Sequence, residues 1–167
     1  MRCADSGAGF QPAAAFQAAL DRKKVLILGY GNPLRADDGF GWEVVQRLAG
    51  IIDDPKVDVR AAHQLTPELA EPISRAGRVI FIDAARQGTP GELSRQRIQP
   101  EPAGALTHHV TPAALLALAS ELYGSAPQAE LFSAAGVSFD YGLALSAPME
   151  AALGAVCRRV LSLLQEL

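Results

Sequence analysis

The run VLILGY at positions 25 to 30 is the segment that most restricts how this chain can fold. Its apolar residues follow one another without polar alternation, the pattern of a central strand covered on both faces. A strand of that kind needs helices on each side of its sheet, and the chain from Lys24 onward supplies them in turn. Phe40, Val44, Val45, Leu48 and Ala49 recur at helical spacing, with Asp37 or Asp38 placed to cap that helix and Gly50 closing it. A second strand, VDVRAA (57 to 62), is followed by LTPELAEPISRAG, where Thr66 and Pro67 mark a helix start, Pro72 bends or shortens the helix and Gly77 ends it. The third strand is RVIFIDA (78 to 84), and QGTPG then turns the chain into a more polar strand around ELSRQRI. Thr111 and Pro112 open a helix carrying Leu115, Leu116 and Leu118, and LFSAAGV (131 to 137) reads as a last core strand. Ser146 caps a terminal helix with Met149, Leu153, Val156, Val160 and Leu164 on its apolar side. This order predicts an α/β fold, a three-layer α/β/α arrangement around a mostly parallel twisted sheet of about five strands, one of them open to antiparallel pairing.

A chain of 167 residues suits one domain, and a globule of that size buries roughly 70% of the surface its unfolded chain exposes. Residues 23 to 167 are expected to form that domain, with 1 to 22 a loosely ordered extension. The extension has one early Arg but no sustained apolar core, so it is a poor signal peptide. No run approaches the roughly 18 apolar residues of a bilayer span. A formal charge of -3 and the lack of Lys/Arg-rich runs argue against a nucleic acid or an anionic membrane as partner. Cys3 and Cys157 lie near opposite ends without metal-ligand or CxxC spacing, which fits a reducing cytoplasm.

Ligands of such sheets bind beyond the carboxyl ends of the strands, especially where the strand order reverses. Asp37 and Asp38 follow the first strand, Asp83 ends the third, and His108 and His109 stand in the loop entering a later helix. If strands one and three are neighbours, Asp38 and Asp83 face one crevice. Two carboxylates about 5 Å apart at an effective dielectric near 20 repel by roughly 3 kcal/mol, so they call for a shared proton or a bound cation. A nearby imidazole favours the cation, and two carboxylates with one histidine nitrogen suit a borderline divalent metal such as Ni, Zn or Fe(II). Asp37 is the better candidate of its pair for a helix cap, and His63, without acidic company, reads as an ordinary surface residue.

The opening loop is not a nucleotide cradle. Gly29 and Gly31 begin a dinucleotide fingerprint, but Leu34 stands where its third glycine belongs and Pro33 removes an amide donor. The ribose-binding acid after the second strand is missing, and no GKS or GKT occurs. Instead, Gly31 permits a sharp exit from the strand, Asn32 holds the turn, and Gly39 and Gly41 let the helix start lie close to a neighbour.

Taken in order, GYGNPLRADDGFG, VIFIDA, THHVTP and GLALS resemble the motifs of the hydrogenase maturation endopeptidases, the former matching the pattern G-x-G-N-x-L-x-x-D-[DE]-x-x-G. The resemblance spans about residues 24 to 164. It implies an enzyme that trims the C-terminal extension from the large-subunit precursor of a nickel-iron hydrogenase, its partner, after a basic residue. It further implies that Asp38, Asp83 and His108 are the metal and catalytic residues, with His109 the alternative to His108. Some members carry Glu at the position of Asp38, so the reach here is one methylene shorter. The nickel would be supplied by the precursor and would serve as the recognition element, so that a metal-free precursor is refused. Attack on the peptide by metal-polarised water and by carboxylate-activated water both stay open, whereas a Ser or Cys nucleophile is disfavoured for want of a nucleophile elbow. A non-catalytic nickel-binding assembly factor and a small-molecule hydrolase of similar fold are the competing readings.

Overall fold

In the computed structural model, residues 24–101 and 110–166 are described. The expected extension before position 23, including Cys3, and the two histidines at 108 and 109 lie outside the described residues.

Five strands form one sheet in the order β2-β1-β3-β5-β4. The strands are β1 (Val25–Tyr30), β2 (Val57–Ala62), β3 (Arg78–Ala85), β4 (Leu93–Ile98) and β5 (Gln128–Ala135). All neighbours pair in parallel except β4, which lies antiparallel on β5 as an edge strand. Leaving β1, the chain first visits β2 on one side and then β3 on the other, so the order reverses at the β1/β3 boundary. The polar pattern of β4 follows from its edge position, where Ser94, Arg95, Gln96 and Arg97 stay exposed.

Helices cover both faces. On one, α1 (Phe40–Ala49) and α4 (Ala147–Gln165) pack Phe40, Val44, Leu48, Met149, Leu153 and Val156 against Ile27, Ile80 and Ile82. On the other, α2 (Ala70–Arg75) and α3 (Pro112–Tyr123) pack Ile73, Leu115, Leu116 and Ala119 against Leu26, Leu28, Val79 and Phe81. Alternate residues of β1 and β3 thus serve opposite cores, which is why VLILGY carries no polar residue along its length. Thr111 caps α3 as expected, its hydroxyl accepting from the amide of Ala114 at 3.1 Å. Pro72 falls in the first turn of α2, whose α-helical part is six residues long after a 3-10 turn at Pro67–Leu69.

Three sequence expectations change. Neither Asp37 nor Asp38 caps α1; both sit in a 3-10 turn, Ala36–Gly39, and Gly39 occupies the cap position without a side-chain bond. Ser146 stands at the cap of α4, yet its hydroxyl is spent elsewhere, on Asp37 at 2.9 Å. β5 begins at Gln128, three residues before the apolar run that announces it. Polar Glu130 is tolerated there because Arg95 on β4 meets its carboxylate with two bonds of 2.9 and 3.0 Å.

Candidate active site

The carboxyl ends of β1 and β3 bring the candidate carboxylates together. After β1 the chain turns at Gly31, whose φ of 130 suits glycine and whose missing side chain leaves room for the backbone carbonyl of Asp38. Asn32 then forms a turn with its own side chain, its amide oxygen accepting from Leu34 N at 2.9 Å. The backbone N–H of Asn32 donates to the Asp38 carboxylate at 3.0 Å, so the loop exit and the acid hold each other. Gly41, in the first turn of α1, lies so close to the carbonyls of Tyr30 and Ile82 that a methyl group there would collide with both. That close approach seats the helix start, with Asp38 beside it, on the two strand ends.

Asp83 projects from β3 on the face that packs against α2 and α3, since its strand neighbours two residues back, Phe81 and Val79, belong to that core. Tyr30, ending β1, points to the same side, and its hydroxyl donates to the Asp83 carboxylate. The amide of Ala84 donates to the same group at 2.8 Å. Burial pushes the Asp83 carboxyl up to about 6, against the hydrogen bonds from Tyr30 and Ala84; the negative charge of Asp38 adds to the rise, and Arg86 opposes it. The Tyr30 phenol is held well above its usual range, first by burial and then by the charge and hydrogen bond of Asp83. The two carboxylates therefore feel each other, as the adjacency of β1 and β3 leads one to expect, but burial outweighs their repulsion.

Asp37 has a different task from its neighbour. It is fully buried and accepts four hydrogen bonds from a loop 100 to 109 residues away: Val137 N at 2.6 Å, Ser138 N at 3.1 Å, Ser146 N at 2.6 Å and the Ser146 hydroxyl at 2.9 Å. Burial alone would raise its carboxyl, yet these donors hold it below the ordinary carboxylate range. Around it the backbone is stitched to the same loop through Ala36 N to Gly142 O at 2.8 Å, Gly142 N to Leu34 O at 3.0 Å and Asp37 N to Ser138 O at 3.0 Å. The Arg35 guanidinium adds two bonds to the Phe139 carbonyl at 3.1 and 2.9 Å. Ala36 adopts a φ of 45, a left-handed conformation that costs a non-glycine residue about 1 kcal/mol and is held by these bonds.

Of the residues singled out in the sequence, Asp38 and Asp83 meet at this edge. His108 and His109 lie outside the described residues, but Val110, directly after them, packs against the same core as Tyr30. Among the described residues no group of three His, Cys, Asp or Glu side chains is arranged to hold a metal. Two carboxylates, one of them largely withdrawn from water, nevertheless fit a divalent cation that brings its own further ligands. His63 rests against Trp42 with ring centroids 4.9 Å apart, as a surface residue. Cys157 is buried in the α1/α4 core, where burial pushes its thiol up, so it is no nucleophile for this edge. Tyr30 and the anchoring role of Asp37 are absent from the sequence reading. Strand parity could have revealed Tyr30, because it and Asp83 fall on the same face of neighbouring strands.

A concavity of about 890 Å³ opens at the other end of the sheet, lined by the strand starts Val25, Val57, Arg78 and Gln128. It is remote from both site carboxylates, and chemistry in parallel sheets belongs at the opposite edge.

No protein-family model matches the chain, and no curated protein matches it. Solved structures do. The hydrogenase 2 maturation peptidase of a Thaumarchaeota archaeon shares 30% identity over 86% of this chain and 99% of its own, with a TM-score of 0.67. The Escherichia coli hydrogenase maturating endopeptidase HybD has the same fold at 23% identity, covering 86% of this chain and 93% of its own with a TM-score of 0.68. The maturation protease HycI of Thermococcus kodakarensis also shares the fold, at 22% identity, 88% and 99% coverage and a TM-score of 0.70. Identity of that order across nearly the whole archaeal enzyme accounts for the ordered motifs as well as the sheet: the chain belongs to the hydrogenase maturation endopeptidases and is a peptidase.

Proposed function

We propose that this peptidase removes the C-terminal extension from the large-subunit precursor of a nickel-iron hydrogenase, after nickel insertion, in the cytoplasm. Nickel enters as part of the substrate. Asp38, Asp83 and His108 complete the coordination of a metal already held in the precursor, which places the peptide to be cut beside them. The observation that carries this reading is the delivery of Asp38 and Asp83 by adjacent strands to one crevice at the reversal of strand order. Two acids so placed are relieved by a cation, and a peptidase with no thiol near this edge among the described residues, and no serine elbow in its sequence, needs water activated by a metal or a carboxylate. His108 precedes Val110 by two residues in the segment that leads into α3, and Val110 packs against the core formed on the face from which Asp83 projects.

Purified protein mixed with nickel-loaded and nickel-free precursor should release a C-terminal peptide, read by mass, only from the loaded form. Stable binding without a mass change would leave an assembly factor instead. Asp38→Asn, Asp83→Asn and His108→Ala should each slow trimming by at least about 100-fold while the thermal unfolding curve stays close to wild type. Normal trimming by all three would remove the site.

A further inference from the structure

Seven large apolar side chains stand exposed among the described residues, and four of them, Leu34, Val137, Tyr141 and Leu143, lie on the two loops stitched together at the carboxyl edge. Tyr141 is 83% and Leu143 76% exposed, unusual for apolar residues on a segment so firmly fastened. The fastening is all on the inward side. Asp37 takes the amides of Val137, Ser138 and Ser146, and Gly136 N bonds to the carbonyl of Ala85, two residues beyond Asp83, at 2.8 Å. The loop is thereby fixed beside the carboxylates with Phe139 and Leu145 packed against the α1/α4 core and Val137, Tyr141 and Leu143 left exposed. A mobile loop could fold such side chains away from water, but this one is held with them displayed.

The neighbouring cations do not make it an acid-binding surface. The Arg35 guanidinium is engaged with the Phe139 carbonyl, and that of Arg86 lies over the Phe139 ring, 4.4 Å from its centroid. We propose that Leu34, Val137, Tyr141 and Leu143 form a preorganised ledge that docks an apolar stretch of the precursor polypeptide next to the bond being cut. This rests on the peptidase reading above, because the ledge is continuous with the edge where that reading places the scissile bond. An immobilised ledge loses little freedom on binding, so its contacts count towards affinity. Asp38 and Asp83 do the chemistry, and the ledge sets how tightly the substrate is held.

The test compares wild type with the double variant Tyr141→Ser, Leu143→Ser, using nickel-loaded precursor for both trimming kinetics and direct binding. These side chains are exposed, so folding is checked by melting, and Val137→Ser supplies an independent second variant. KM and the dissociation constant should rise by about tenfold in the double variant while kcat stays within about twofold. Unchanged KM and binding in both variants, with wild type trimming normally, would overturn the ledge and leave the peptidase standing. Weaker binding by the variants, with no trimming even by wild type, would support the ledge and overturn the peptidase reading. A wild type that neither binds nor trims overturns both. A wild-type dimer that the double variant splits would assign the surface to a second copy of this chain and overturn the proposal.

Discussion

The two ends of the sheet differ in how they hold their charges. At the amino end a wide concavity is lined by Asp53, Asp54, Lys56 and Arg78, of which the first three are exposed to solvent. At the carboxyl end Asp37 is buried, Asp83 is withdrawn from water, and Tyr30 donates to Asp83. Exposed charges are screened and do little work on their neighbours, whereas the same groups out of water change one another's protonation and position. The comparison teaches that desolvation, strong at the carboxyl end and weak at the amino end, is what couples neighbouring charges in this molecule.

Asp37→Asn should strike this contrast hardest. An amide in that place turns donors towards the backbone N–H groups that now reach the carboxylate, leaving buried donors unsatisfied. A loss of about 3 kcal/mol is expected, lowering the melting temperature by about 10 °C. Melting unchanged within a degree would show that the two loops hold together without their buried acid. Tyr30→Phe comes next: it keeps the ring and deletes the bond to Asp83, so peptide release should fall by about tenfold with melting nearly unchanged, and equal rates would remove Tyr30 from the site. Ala36→Gly relieves the left-handed strain at φ 45 but frees the unfolded chain, so the net gain should be about 0.5 kcal/mol and visible as a small rise in denaturation midpoint. A drop instead would mean that the alanine methyl contributes packing there. The smallest effect is expected at the amino end, where Ile51→Ser, on the rim of the concavity, should leave trimming within about twofold of wild type. A large loss there would break the distinction between the two ends.

Much of the architecture was legible because it rests on local pattern. VLILGY had to be central, VDVRAA and Arg78–Ala85 end where their apolar runs end, and Thr111 with Pro112 starts α3 at the expected residue. Asp38 and Asp83 could be marked as edge residues by counting from strand ends. The misreading of Asp37 has a specific cause. Beside a helix start an aspartate is an excellent cap, but its actual partners, Val137, Ser138 and Ser146, lie 100 to 109 residues further along, beyond any spacing rule. Ser146 was misread for the complementary reason, since its hydroxyl closes the same contact.

By itself, then, the sequence determined the layers, the strand and helix order, and which acids stand at strand ends. Those depend on the period of apolar residues and on turn chemistry, which act over a few positions. Only the tertiary structure decided that β1 and β3 lie side by side, that one aspartate of the DD pair anchors a distant loop while the other faces the crevice, and that Asp83 is drawn out of water beneath Tyr30. These are matters of which segments meet in space and how much water remains between them, and neither is written in the spacing of neighbours along the chain.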